Sequence, residues 1–100
     1  MNAEEGESKR WSVTSSLVTR KVGGQVFVLM PDSAMHILKN ESAMFLFEAL
    51  ESSGPSGASA LELSERLVGA FAEVSPERAR ADVERFVQDL NSLGILRSIE

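Results

Sequence analysis

The chain of 100 residues contains no cysteine and no tyrosine, and it has a single histidine, a single tryptophan and three prolines. Without cysteine it can form neither disulfide bonds nor thiolate metal sites, and it has no thiol nucleophile. No apolar run approaches the roughly 18 residues that a membrane-spanning helix needs. These absences predict a soluble cytoplasmic protein in a reducing compartment, with no membrane partner.

Basic residues are also few. The chain has 10 lysines and arginines against 15 acidic residues, so its net charge is −5. Such a balance repels phosphate backbones, and no cluster of Lys and Arg stands out along the chain. The composition therefore argues against a nucleic-acid partner and favours a protein or a peptide.

The distribution of apolar residues predicts one domain behind a short tail. Residues 1–10 have little apolar content and are expected to form a mobile acidic tail. Hydrophobic residues make up 43% of the chain, which is enough for one modest core. The domain is expected to span residues 11–100.

Three strands are predicted at the start of the domain. Residues 12–22 are rich in Val, Thr and Ser, and Gly23 and Gly24 then supply the backbone freedom of a tight hairpin turn. The second strand, residues 25–30, is apolar on both alternating faces and is predicted to be central. Residues 34–38 predict a short third strand after a turn.

The periodicity changes to that of a helix after the third strand. Asn40 can cap a first helix over residues 41–51, whose apolar positions recur at spacings of three, four and seven. The next eight residues, 52–59, have the sequence SSGPSGAS. Their Gly, Pro and Ser content predicts a flexible connector without regular structure.

Two further helices follow the connector. Ser59 and Glu62 have the spacing of a capping box, and the Ser75-Pro76 pair is the strongest helix start in the chain. Gly94 is suited to the C-terminal cap of the third helix, after which the chain packs back or adds a short strand. The order predicts a small α+β domain of winged-helix type, with a three-stranded antiparallel β-sheet followed by three α-helices.

Catalytic motifs are missing. His36 has no HxH or HExxH neighbour, and no serine lies in a GxSxG elbow. Gly23 and Gly24 do not form the glycine-rich patterns that bind phosphates. The sequence predicts no enzyme, no metal site and no cofactor.

Charges of alternating sign follow one stripe of the third helix at spacings of four, three and four, namely Arg78, Asp82, Arg85 and Asp89. They form either a surface ladder of ion pairs, each worth ~0.3 kcal/mol, or one wall of a groove for a peptide. Both interpretations can hold together.

The third strand has an edge without protection. If the second strand is central, the third lies at the border of the sheet, and residues 35–38 (MHIL) contain neither proline nor a formal charge. Such an edge beside a helix suits an extended peptide that adds a strand. Two alternatives remain for what covers this edge: the N-terminal tail, or the same strand of a second copy in a homodimer.

Several segments together resemble the PqqD-like family. They are residues 27–32 (FVLMPD), 38–43 (LKNESA), 81–86 (ADVERF) and 93–96 (LGIL), and the resemblance covers about residues 17–97. The family includes the pyrroloquinoline quinone biosynthesis protein D and the recognition elements for ribosomally made, post-translationally modified peptides.

The resemblance implies a non-catalytic peptide chaperone that binds the leader segment of a precursor peptide and presents the precursor to a modifying enzyme, often a radical SAM enzyme. It also implies that the leader lies between the third strand and the last helix. The matching positions here are Ala34, Met35, His36, Ile37, Leu38, Arg78, Asp82, Arg85, Phe86 and Asp89. The rival interpretation is a winged-helix regulator or DNA-binding module, and a third is a structural homodimer.

Overall fold

Two antiparallel sheets of three strands each, with three α-helices, make up residues 9–99, the part of the chain that the computed structural model describes. The elements in chain order are β1 Arg10–Val13, β2 Val18–Val22, β3 Gln25–Leu29, β4 Met35–Leu38, α1 Glu41–Ser53, β5 Ala58–Ser59, α2 Ala60–Ala70, α3 Pro76–Ser92 and β6 Leu96–Ile99. The predicted α+β class, with an antiparallel sheet ahead of three helices, is confirmed. No helix in this described part is long and apolar enough to cross a membrane.

The first sheet places β3 between β2 and β4, as the sequence predicts. Gly23 has a φ of 60° in the turn between β2 and β3, a left-handed conformation that glycine adopts without strain. The inner face of this sheet buries Val26 and Val28. Thr19 on β2 donates to Oε2 of Glu51 at 3.1 Å, so this face meets α1.

The opposite face of the first sheet is open. β3 is apolar on both sides, yet Phe27 is only half-buried and Leu29 is exposed. β3 is therefore the central strand, as predicted, but only one of its two apolar faces is covered.

The second sheet places β1 between β5 and β6 and was not predicted. The single strand expected over residues 12–22 is in fact two strands, β1 and β2, which a turn at Ser15 and Ser16 separates. Just before the turn, the Thr14 N–H donates to the carbonyl oxygen of Ile95 at 2.9 Å. Because β6 lies at the other end of the chain, no local pattern indicates this pairing.

The connector predicted to be flexible is ordered, so that prediction was wrong. α1 continues to Ser53, and a 3-10 helix, Gly54–Ser56, follows it. Ala58 and Ser59 are buried and pair with β1. Glycine and proline here shape a tight link between elements, because Gly57 adopts a φ of 66° directly against β1.

The predicted tail ends inside β1. Arg10 is the first residue of that strand, and its guanidinium donates to the carbonyl oxygens of Ser56 at 3.0 Å and Gly57 at 2.9 Å. Arg10 is thus part of the domain, which the sequence placed one residue later. Residues 1–8, which make up most of the predicted tail, lie outside the described residues.

The helix starts that the capping residues predict are confirmed. Ser59 and Glu62 form a reciprocal capping box on α2. The Ser75 hydroxyl accepts from the Arg78 N–H at 3.2 Å, and Gly94 has the predicted left-handed φ, 84°, after α3. The helices and sheets share one core, whose largest fully buried side chains include Phe47, Leu46, Leu50, Leu63, Leu67, Ile95, Leu96, Val28 and Val83.

An exposed ion pair between Arg10 and Glu62 joins β1 to α2. Hydrogen bonds from the Arg10 guanidinium and from the Ser59 N–H hold the pKa of Glu62 below its ordinary value of 4.5. A carboxylate whose pKa is lowered by folding stabilises the fold at pH values above its pKa in the unfolded state. This contribution is lost as the pH falls through its pKa in the folded state.

We therefore expect Glu62→Gln to lower the free energy of unfolding near pH 7 by less than about 1 kcal/mol, because the pair is exposed and glutamine can keep the capping box. In urea denaturation the gap between parent and variant should close as the pH falls below 4.5. A gap of unchanged size in strong acid would mean that the charge of Glu62 is not its cause.

Candidate functional site

A groove of about 650 Å³ lies between the first turn of α1, the end of β4 and one side of α3. We call it the α1–α3 groove. Its apolar lining is formed by Leu38, Ala43, Leu46, Phe71, Val74, Phe86 and Leu90. Its polar lining is formed by Asn40, Glu41, Ser42, Glu73, Arg78, Asp82, Arg85 and Asp89. A volume within the range of roughly 300–1,000 Å³ is typical of ligand sites, so the groove can hold several side chains of a ligand.

Local interactions fix two of the segments that line the α1–α3 groove, the start of α1 and the end of α2. Oδ1 of Asn40 accepts from the Ser42 N–H at 2.8 Å and from the Ala43 N–H at 3.3 Å, which sets the start of α1. The rings of Phe45 and Phe71 meet edge to face at 5.6 Å, which holds the end of α2 against α1. The groove is therefore preformed by a cap and by an aromatic contact.

The charged stripe of α3 borders this groove, and its members are only partly paired. Arg78 Nε lies 3.7 Å from Asp82 Oδ2, with the two side chains 76% and 31% exposed. A long contact this exposed contributes little to stability. Within residues 9–99, Arg85 and Asp89 make no ion pair, so the groove retains one cationic and one anionic group for a ligand.

β4 forms one border of the first sheet, since it pairs with β3 alone. The Met30 N–H donates to the Ala34 carbonyl at 2.8 Å, next to the first pair of the β3–β4 ladder. Met30 and Ala34 therefore occupy a hydrogen-bonded position of that ladder. Hydrogen-bonded and non-hydrogen-bonded pairs alternate along an antiparallel ladder. His36 and Leu38 therefore direct their backbone groups toward β3.

Met35 and Ile37, by the same alternation, direct their N–H and C=O groups away from β3. Their side chains are 57% and 44% exposed, so little covers them. The unprotected edge that the sequence predicts is present on the described chain, and two residues provide its free backbone groups.

The structure brings together six of the ten residues that the sequence assigns to peptide binding. Those that line the α1–α3 groove are Leu38, Arg78, Asp82, Arg85, Phe86 and Asp89. The other four, Ala34, Met35, His36 and Ile37, do not line it and belong to β4 and the turn before it.

Ala34 differs from its predicted place in a strand over residues 34–38. β4 begins at Met35, one residue later. The Ala34 N–H donates to Oδ1 of Asp32 at 3.0 Å, and Ser33 takes a φ of 77° in the turn. Because the Ala34 N–H already bonds with the Asp32 carboxylate, it is not part of the free edge.

The N-terminal wall of the groove was missed as a site. Asn40 was assigned to capping, and Ala43 and Leu46 to the buried face of the first helix, but all three also line the groove. The short link between α2 and α3 adds Glu73 and Val74. The position of Asn40, two residues after the end of the edge strand, was the one local signal that α1 starts beside that edge.

His36 lies half-buried on the inner side of β4, opposite Val28. In residues 9–99 no three His, Asp or Glu side chains are grouped closely enough to hold a metal ion. The lining of the groove offers apolar contact and ion pairing, and the edge of β4 at its border offers backbone hydrogen bonding.

A solved structure described as TbiB1 in complex with the TbiA(beta) leader peptide has a similar fold. The TM-score is 0.74, and the match covers 86% of this chain and 94% of that chain at 14% sequence identity. At such low identity the likeness concerns the fold alone.

No curated protein matches the chain significantly. The family model for coenzyme PQQ synthesis protein D (PqqD) matches residues 25–96, from the start of β3 to the first residue of β6. This match includes β4, all three helices and the α1–α3 groove, and the chain therefore belongs to the PqqD family.

Proposed function

We propose that this protein is a non-catalytic adaptor that binds the leader segment of a ribosomally made precursor peptide and presents the peptide to a modifying enzyme. The observation that carries the proposal is the free edge of β4, which ends at Leu38 in the lining of the α1–α3 groove. Membership of the PqqD family supports it, and so does a fold similar to that of a protein solved with a leader peptide.

The leader would pair with β4 as an added strand. Its backbone would bond with the outward N–H and C=O groups of Met35 and Ile37, which gives affinity without sequence preference. Alternate side chains of an added strand point to the same face, so those directed at α3 would enter the groove. There Phe86 and Leu90 offer apolar contact, and Arg85 can pair with an acidic side chain.

The peptide-contacting set is proposed to include the groove residues and the edge of β4. It comprises Met35, His36, Ile37, Leu38, Arg78, Asp82, Arg85, Phe86 and Asp89, with Ala34 at the end of the ladder.

A calorimetric titration with the synthetic leader of the precursor encoded beside this chain's gene tests the proposal. We expect a Kd in the micromolar range or tighter, with little dependence on salt, because strand pairing and apolar contact dominate. Absence of leader binding, together with binding of duplex DNA that weakens steeply with salt, would instead support the winged-helix regulator.

Filling the α1–α3 groove should weaken leader binding. Ala43 lines the groove, whereas Ala49, another half-buried alanine of α1, lines a different depression on the side toward α2. We expect Ala43→Phe to raise the leader Kd at least about tenfold, which is about 1.4 kcal/mol, and Ala49→Phe to leave it within about twofold. Equal Kd values for the two variants, with both shown to be folded by circular dichroism, would place the peptide outside the groove.

A further inference from the structure

The outer face of the β2-β3-β4 sheet concentrates the exposed apolar side chains of the molecule. Seven large hydrophobic residues in the described chain are exposed, and all but Leu61 and Leu93 lie on this face. The five on the face are Val18, Val22, Leu29, Met35 and Ile37, with exposures between 40% and 60%. We call this surface the outer sheet face. Apolar residues scattered singly on a surface are ordinary, but a contiguous apolar patch marks an interaction site.

The register of the strands makes this patch continuous. Val18, Leu29 and Met35 lie opposite one another across the three strands. Arg20 on β2, Phe27 on β3 and Ile37 on β4 form the adjacent row. Side chains alternate between the two faces of a sheet, so both rows point away from α1.

One charge lies within this apolar surface. Arg20 is the only charged residue that the three strands turn outward, and it makes no ion pair within residues 9–99. Its neighbour Lys21, on the inner face, forms an ion pair with Glu48 of α1. An arginine surrounded by apolar residues requires a carboxylate from elsewhere if the face is to be buried.

That requirement argues against a second copy of this chain as the occupant. A two-fold dimer places the same surface on both subunits, and the outer sheet face has no acidic residue among its outward positions. Face-to-face pairing would bury two guanidinium groups without a carboxylate, which is costly. An anionic membrane fits poorly too, because the net charge is −5 and the face has one basic residue.

We infer that the outer sheet face docks a partner protein whose surface is apolar and places a carboxylate opposite Arg20. The identity of this partner rests on the proposed function: it is the enzyme that modifies the bound peptide. Met35 and Ile37 connect the two interactions, since their side chains belong to the outer sheet face and their free backbone groups to the peptide edge. A protein seated on the face therefore lies beside the peptide strand that it must reach.

The test uses β2, because it is the strand farthest from the peptide edge. The double variant Val18→Thr/Val22→Thr removes apolar surface but keeps β-branched side chains that suit a strand. Arg20→Glu reverses the single charge at an exposed position. Leu61→Gln on α2 is the matched control, since Leu61 is exposed but lies outside the face. The probes are the purified modifying enzyme encoded beside the gene and the synthetic leader peptide.

We expect the double variant and Arg20→Glu each to weaken binding of the enzyme at least about tenfold, and Leu61→Gln to change it less than about twofold. The leader Kd should stay within about twofold of the parent in all three variants, which also shows that they are folded. Unchanged enzyme affinity in the double variant and in Arg20→Glu, with leader binding intact, would overturn the inference.

Two further results would overturn it by identifying another occupant. One is a parent homodimer in sedimentation that the double variant abolishes. The other is binding of the parent to phosphatidylserine vesicles that the double variant abolishes. If the parent protein does not bind the leader, the proposed function is contradicted. The leader titration tests that point separately from the enzyme-binding measurements, which test this inference.

Discussion

Gly57→Ala is expected to lower the free energy of unfolding by about 3 kcal/mol, a large fraction of the stability of a small domain. Gly57 has a φ of 66° and a ψ of −162°, a combination that essentially only glycine adopts and that costs about 1–3 kcal/mol for a residue with a Cβ. A Cβ there would also overlap the carbonyl oxygen of Trp11 and lie 2.8 Å from its carbonyl carbon. Backbone atoms of β1 cannot rotate aside as a flexible side chain can, so the second sheet must shift.

Gly54→Ala is the matched control for this prediction. Gly54 has nearly the same φ, 63°, but a Cβ on it would meet nothing within 4 Å. Gly54→Ala should therefore cost only the backbone strain of this glycine-only conformation, about 1–3 kcal/mol, and less than Gly57→Ala. Urea denaturation of both variants measures the difference, and equal losses would mean that Gly57 does not approach β1 as closely as described.

Proline substitutions in β4 should separate stability from peptide binding. Proline lacks an N–H and is tolerated in a strand only where that N–H faces outward. The Ile37 N–H faces the free edge, so Ile37→Pro should stay folded and raise the leader Kd by about a hundredfold, or about 2.7 kcal/mol. The His36 N–H faces β3, so His36→Pro should lose about 3 kcal/mol of stability.

Thermal unfolding and leader titration of the two variants, made side by side, check this pair of expectations. Each variant serves as the other's control, because the two substitutions are adjacent and each removes one N–H, which faces the free edge at Ile37 and β3 at His36. If Ile37→Pro binds the leader as the parent does, then β4 is not where the leader pairs, although the chain would remain a member of the PqqD family.

Features of the fold that depend on a few neighbouring residues were predictable. Asn40, Ser59 and Ser75 each cap a helix through a hydrogen bond that spans two or three residues, so the sequence displays donor and acceptor together. The hairpin at Gly23 and the central position of β3 follow from similarly local patterns.

The second sheet was not predictable for the opposite reason. β1 pairs with β5 and β6, whose residues lie far along the chain, and no turn or alternation links them locally. The same pairing explains why residues 52–59 are ordered. Gly54 and Gly57 with positive φ fold the segment against Trp11, and a composition typical of loops gives no sign of that contact.

The candidate site likewise has one wall that local sequence predicts and one that only tertiary packing creates. The α3 wall was predicted because Arg78, Asp82, Arg85 and Asp89 belong to one helix, where spacing alone places them on one side. The facing wall comes from the start of α1 and the α2–α3 link, and only tertiary packing brings those segments together. For the same reason the outer sheet face became visible only when the register of three strands showed which apolar residues remain uncovered.

Amide hydrogen exchange, followed by NMR during titration with the leader peptide, tests the central claim most directly. An added strand would take up the outward N–H groups of Met35 and Ile37, so the exchange of these two amides should slow strongly when the leader is bound. The amides of His36 and Leu38 face β3 and should change little. Saturating leader binding without new protection of Met35 and Ile37 would contradict strand addition at β4.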